Sequence, residues 1–408
     1  MQRIHADVLI PGRGEPIADG VVVMDHGAIT YAGPQAQAPP RDGAAVIEAV
    51  AVMPGLWDCH AHFVGSTSLD PLRWVLEPEA ASGARAAIDA LAAVRAGITS
   101  VREVGGLGVR LARAVADGTL AGPAIYGAGA MLSMTGGHGD LHELPLPVMR
   151  ALQDSTSYIR VCDGEADCRR AVREMLREGA RLIKVHASGG MLSVADDPHH
   201  QQFTDAELAA IVDEAARADR IVAAHCHGKA GIMAALRTGV RTIEHGTWLD
   251  EEAAEAMVAA DAILVPTCFV GTQLRHAGAE GGVPAYTMSK IAAAGDQHDR
   301  AIEIAIAAGV RIAAGTDIFA SGTWGRNGEE LRLLQRRGMS ALAVIEAATA
   351  TAPSTLGPQG PRSGVLTSGY DADVITVDTD VTNDVDALGD PAHITGVWRA
   401  GIPVKSGL

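Results

Sequence analysis

Two histidines two residues apart, His60 and His62, close the apolar run "MPGLWDCHAHFVG" (53–65). A second pair, His225 and His227, closes "RIVAAHCHG" (220–228). His245 closes "VRTIEHG" (240–246), Asp317 closes "VRIAAGTD" (310–317), and Lys184 lies within "ARLIKVHASGG" (180–190). Residues two apart on a strand share a face, so His60 and His62 can point the same way. Imidazole and carboxylate are the usual ligands of first-row divalent metals. Taken singly, each residue has a duller use. A strand-end histidine is an ordinary hydrogen-bonding group, a lysine snorkels to solvent, and an aspartate after Gly-Thr caps a helix. Their joint placement favours a metal centre over these alternatives.

Such a ring needs a fold that brings strand ends together. Eight short apolar runs read as buried strands: the one before His60, then 97–105, 123–130, 180–190, 220–228, 240–246, 262–267 and 310–317. Helical stretches alternate with them, among them 204–219, 251–260 and 296–309. Thr204 with Glu207 three residues later has the pattern of a capping box. Strands alternating with helices predict a parallel (β/α)8 TIM barrel, whose active sites lie at the C-terminal strand ends.

The two chain ends read differently. The first fifty residues and the stretch from about Ser363 are short strands broken by Gly and Pro. We expect them to form one small β-sandwich, giving sandwich segments at 1–53 and 363–408 around a barrel at 54–362. Aromatics are only 3% of 408 residues, so the core is expected to be built of Ala, Val, Leu and Ile. A formal charge of −16 argues against nucleic acid and anionic membranes as partners. No leader pattern and no long apolar run is evident. The five scattered cysteines (Cys59, Cys162, Cys168, Cys226 and Cys268) suit reduced thiols in a cytoplasm.

The linked motifs resemble the amidohydrolase superfamily, in its binuclear-metal branch. More narrowly, "GGHGD" (136–140), "IKVHASGGMLSVADDP" (183–198), "AAHCHG" (223–228), "IEHGT" (243–247) and "AAGTD" (313–317) resemble the group of Xaa-Pro dipeptidases, related carboxypeptidases and ochratoxin-type amidases. The resemblance implies that His60, His62 and Asp317 hold one divalent ion and that His225 and His245 hold a second. It implies that Lys184, carbamylated by CO2, bridges them. A lysine ammonium has no lone pair for a metal, whereas a carbamate offers two anionic oxygens. His227 would then stand behind His225, although the two roles could be exchanged. Zinc is the first choice of metal.

The implied reaction is hydrolysis of an amide in a dipeptide or N-acyl amino acid by a metal-bridging hydroxide, with Asp317 as general base and then acid. His138, in the loop "TGGHGD", would hold the carbonyl or oxyanion. Met191, Phe203, Trp324 and His227 would join His138 on the substrate side. Trp324 stands where the subgroup usually has histidine, and Phe203 where relatives often have tyrosine, which suggests a larger or more apolar substrate. The expected partners are this small molecule and further copies of the chain. Four alternatives compete. An esterase or lactonase and a carbamate or urea hydrolase could use the same centre. A mononuclear deaminase would lack the lysine and carry a glutamate after the strand-five histidine, which "HCHGKAG" does not. A scaffold barrel would have no metals at all.

Overall fold

A computed structural model of the chain describes residues 1–41, 46–153, 158–280 and 282–406. Residues 42–45 of the N-terminal segment and 407–408 of the C-terminal segment lie outside the described residues.

The two chain ends build one sheet. Strands β1 (Gln2–Leu9), β2 (Ile17–Asp25), β3 (Ala28–Pro34) and β4 (Val46–Pro54) come from the front. From the back come strands β16 (Val374–Val377), β17 (Ile394–Arg399) and β18 (Ile402–Ser406), and the strand order is β18-β17-β16-β4-β1-β2-β3. The ends meet directly: the Gln2 side chain donates to the Gly401 carbonyl at 2.6 Å, and Trp398 Nε1 donates to Gln2 Oε1 at 2.9 Å. This is the separate β-sandwich domain, joined to a (β/α)8 TIM barrel.

The barrel strands are β5 (Leu56–Ser66), β6 (Ile98–Glu103), β7 (Ala124–Gly127) with β8 (Met131–Ser133), β10 (Ile183–His186), β11 (Val222–Cys226), β12 (Thr242–His245), β13 (Ile263–Val265) and β14 (Arg311–Ile312). Neighbours pair in parallel. Cys59 N–H donates to the Ala314 carbonyl at 2.8 Å and closes the ring between its last and first segments. Two short strands went unanticipated, β9 (Ile159–Val161) beside β8 and β15 (Ile318–Ala320) beside β5; three residues carry too little periodicity to stand out. The helix Asp205–Ala216 has the expected capping box on Thr204 and Glu207.

The barrel interior is layered. Trp57, Cys59, Leu182, Ala223, Ile263, Val265 and Ala313 pack an apolar floor. Above it, Arg102, Thr242 and Glu244 form a buried polar layer, and the histidines stand above that. A register shift against β6 between Asp58 and Ala61 disturbs β5 between its floor residues and its histidines. Such irregularities commonly re-aim side chains beside active sites. The five cysteines are free and buried. Among the described residues no helix is long and apolar enough to cross a membrane.

Candidate active site

His60, His62, Lys184, His225, His245 and Asp317 line one cavity at the C-terminal mouth, together with His138, His227 and Met191. Strand alternation accounts for part of this. Leu182, Lys184 and His186 share the inner face of β10, and Ala223 and His225 that of β11. On β12, however, alternation gives the inner face to Thr242 and Glu244, not His245. His245 reaches the cavity because its backbone is left-handed, with φ +68°. Asp317 (φ +57°) and Thr267 (φ +56°) are left-handed as well. Each such non-glycine residue costs on the order of 1–3 kcal/mol, a strain typical of functional sites.

Every proposed imidazole ligand has one nitrogen fixed from behind. His60 Nδ1 meets Glu244 Oε2 at 2.7 Å, His62 Nδ1 meets the Gly105 carbonyl at 2.8 Å, and His245 Nδ1 meets Thr267 Oγ1 at 2.7 Å. His225 is held the other way round, Nε2 to the Gly189 carbonyl at 3.2 Å. One ring nitrogen of each is left for the centre, which is how metal-binding histidines are oriented. His62 Nε2 lies 3.1 Å and His60 Nε2 3.5 Å from Asp317 Oδ1, and Lys184 Nζ lies 3.5 Å from His60 Nε2. Two groups, His225–His227–His245 and His60–His245–Asp317, each bring their ligand atoms within 4.8 Å of one another. The donor set therefore fits divalent metal. His227, fixed by Thr247 Oγ1 at 2.7 Å, belongs to the first group beside His225.

The electrostatics suit the same chemistry. Burial holds His225, His227 and His245 well below the ordinary imidazole range and His60 at about 4, so all present lone pairs. Burial would raise Asp317, but the facing His60, His62 and Lys184 outweigh it and hold its carboxyl below the usual value. Burial pushes Lys184 down to about 8, against the opposing pull of Glu244 and Asp317. More of it is then the free amine that CO2 requires than at an ordinary lysine.

The supporting residues went unread in the sequence. Arg102 Nη2 donates to both oxygens of Glu244 at 2.8 and 2.7 Å and its Nε donates to the Cys59 carbonyl at 2.5 Å, so the ion pair behind His60 is fully satisfied. Asp58 accepts from the backbone N–H groups of His60 and Thr316 and from Asn327 Nδ2, tying the first strand to the last. His298 Nε2 lies 3.1 Å from the His245 carbonyl. His186 also lines the cavity. The available signal was a charged residue inside an otherwise apolar strand, at Arg102 and Glu244. For His186 it was the same two-residue spacing, from Lys184, that drew attention to His60 and His62.

Two expected substrate contacts are corrected. Trp324 does not line the cavity. Its ring stacks face to face on Phe63 with centroids 4.1 Å apart, within the apolar shell of the barrel. Phe203 is buried, its N–H directed at Met134 Sδ at 3.3 Å, and it too lies off the cavity. Apolar surface attracts both rings into packing, and loop residues at the mouth cannot be told from loop residues beneath it by type alone. The apolar lining comes instead from residues such as Leu72, Trp74, Leu141, Leu274, Ile291 and Phe319.

A TIM barrel with a β-sandwich appendage and this histidine ring at its mouth defines a class of barrel hydrolases. The chain belongs to the amidohydrolase family, whose model matches residues 51–404. It is 40% identical to ochratoxinase from Aspergillus niger over 413 residues, covering 98% of this chain and 85% of that one. The crystal structure of that enzyme superposes with a TM-score of 0.92 at 38% identity, over 99% of this chain and 95% of that one. A prolidase solved with N-methylphosphonate-L-proline gives 0.91 at 32% identity over 99% of both chains. A Xaa-Pro dipeptidase with bound methionine gives 0.87 at 30%, over 98% and 99%.

Proposed function

We propose that this hydrolase cleaves an amide bond in an N-acyl amino acid or dipeptide at a binuclear metal centre. The observation that carries the proposal is the ring of rear-anchored imidazoles around Lys184 and Asp317. The ochratoxinase and prolidase relatives support the amide class. His60, His62 and Asp317 would hold one ion, His225 and His245 the other, and a carbamate on Lys184 both. Zinc is the ion we expect. Bound metal supplies an acidified water and a polarised carbonyl. Asp317, close to both His60 and His62, takes the proton of the attacking water and returns it to the leaving nitrogen. His138 lines the cavity and would contact the substrate beside the carbonyl. The apolar lining accommodates a bulky acyl group or side chain.

Metal content tests the centre. Elemental analysis of purified protein should find about two divalent ions per chain, and chelation should abolish turnover until metal is restored. His225→Ala should retain about one ion, while His227→Ala should retain both. The reverse result would exchange the two residues, and a metal-free preparation with full activity would end the proposal.

Gly190 tests the placing of His138. A Cβ on Gly190 would lie 2.1 Å from His138 Cε1, so Gly190→Ala must displace that ring. We expect kcat/KM to fall about 10²-fold, the scale of a 1 Å misplacement, with metal content intact. Unchanged kinetics would take His138 out of the reaction.

A further inference from the structure

Among the imidazoles lining the cavity, His186 alone has no hydrogen bond on either nitrogen within the described residues. The others are each held by at least one. It is only 4% exposed, and its Nδ1 is sealed from solvent without a partner. Burying an unpaired polar atom is expensive, and an apolar side chain of the same shape would avoid the cost. The ring is a burden to the fold unless a ligand uses it.

The geometry says which nitrogen a ligand would meet. Gly139 closes off one edge: a Cβ there would lie 2.9 Å from both Nδ1 and Cε1 of His186. The ring otherwise lines the cavity, and only Nδ1 is sealed, so Nε2 is the nitrogen left to face it. A doubly protonated ring would carry an N–H at the sealed Nδ1 with no acceptor, so the single proton belongs on Nε2. His186 thus presents a donor.

Its neighbours say what that donor would meet. The register of β10 and β11 sets His186 opposite His225, and its ring stands edge-on to His225 at 5.3 Å and to His138 at 4.9 Å. It lies between a proposed metal ligand and the loop histidine proposed to contact the substrate beside the carbonyl. His138 is set up differently. Ser193 gives its hydroxyl proton to the Asp196 carboxylate, so Ser193 Oγ accepts from His138 Nδ1–H at 2.7 Å. The Nε2 of a neutral His138 is then a lone pair, not a donor.

Building on the amide-hydrolase proposal above, we infer that His186 is a catalytic residue: its Nε2–H donates a hydrogen bond to the scissile carbonyl oxygen and holds it as negative charge develops there. No bond to carbon or hydrogen changes at His186; the hydrogen bond shortens and strengthens as the oxygen becomes anionic.

The test compares wild type, His186→Leu and His186→Gln as metal-loaded enzymes. The readouts are melting temperature, metal content, hydrolysis of a panel of N-acyl amino acids and Xaa-Pro dipeptides, and affinity for N-methylphosphonate-L-proline. For His186→Leu we expect an equal or higher melting temperature, unchanged metal content and a kcat lower by about 10²–10³-fold with little change in KM, the usual loss for an oxyanion donor. The phosphonate should bind at least about tenfold more weakly. His186→Gln, which keeps a donor, should recover part of both losses. Full turnover with a raised melting temperature would make His186 core filling, and loss of metal would make it a ligand; either overturns the inference. A wild-type enzyme that cleaves no amide would count against the hydrolase proposal alone. Phosphonate affinity would still decide His186, with equal binding by wild type and His186→Leu overturning its role.

Discussion

Lys184→Ala is expected to abolish turnover, by about 10⁴-fold or more, and to lower metal content from about two ions per chain to one or fewer. A shared metal pair contributes several kcal/mol of charge stabilisation to the transition state, and each 1.36 kcal/mol is a factor of ten. Lys184 is fully buried at the centre of the ring, with its Nζ 3.5 Å from His60 Nε2. An ammonium there would repel cations; a carbamate would supply both with oxygen. Truncation leaves a gap that a small carboxylate can enter. Formate, acetate or propionate added to the variant should therefore restore part of the metal content and part of the activity together, whereas methylamine should restore neither. Normal metal content and turnover in Lys184→Ala would show that the lysine serves only packing.

Asp317→Asn separates proton transfer from architecture. The amide keeps the size of the carboxylate and one oxygen, but it cannot take a proton from water. We expect kcat to fall by about 10²–10⁴-fold, the range for losing a general acid–base group. KM should change little, and most of the metal should remain. The pH profile should change too. In the metal-free chain, His60, His62 and Lys184 keep the Asp317 carboxyl below its ordinary range despite burial; in the loaded enzyme divalent cations would replace the lysine's charge in that role, so the base stays ionised to low pH. Activity that requires ionised Asp317 is lost only as the pH falls through that depressed value. The acidic limb should disappear or move in Asp317→Asn, because no carboxylate remains to titrate. Turnover within a few-fold of wild type, on an unchanged pH profile, would remove Asp317 from the mechanism.

Much of this protein can be read from its residues in order. Period-two and period-3.6 patterns are local, so the alternation of buried strands and helices, and with it the barrel, was legible, as was the different character of the two ends. His60, His62, Lys184, His225, His245 and Asp317 were legible because each closes or interrupts an apolar run. What joins them was not. Strand alternation would have turned His245 away from Glu244's face; only a left-handed backbone at φ +68° brings it to the cavity, and nothing in "IEHGT" signals that conformation. The Arg102–Glu244 pair behind His60 spans 142 positions, and the Asp58–Asn327 bond 269, so neither is a local pattern. Trp324 shows the converse. Its type and its loop suggested a substrate contact, yet Phe63, 261 positions earlier, offers a flat apolar face 4.1 Å away, and the indole stacks there. Residue types and local periodicity determined which groups were available for catalysis and which elements would carry them. Which of those groups face one another, and which bury themselves in packing, was decided by contacts between distant segments, because hydrogen bonds and close packing act over a few ångströms in space and are indifferent to separation along the chain.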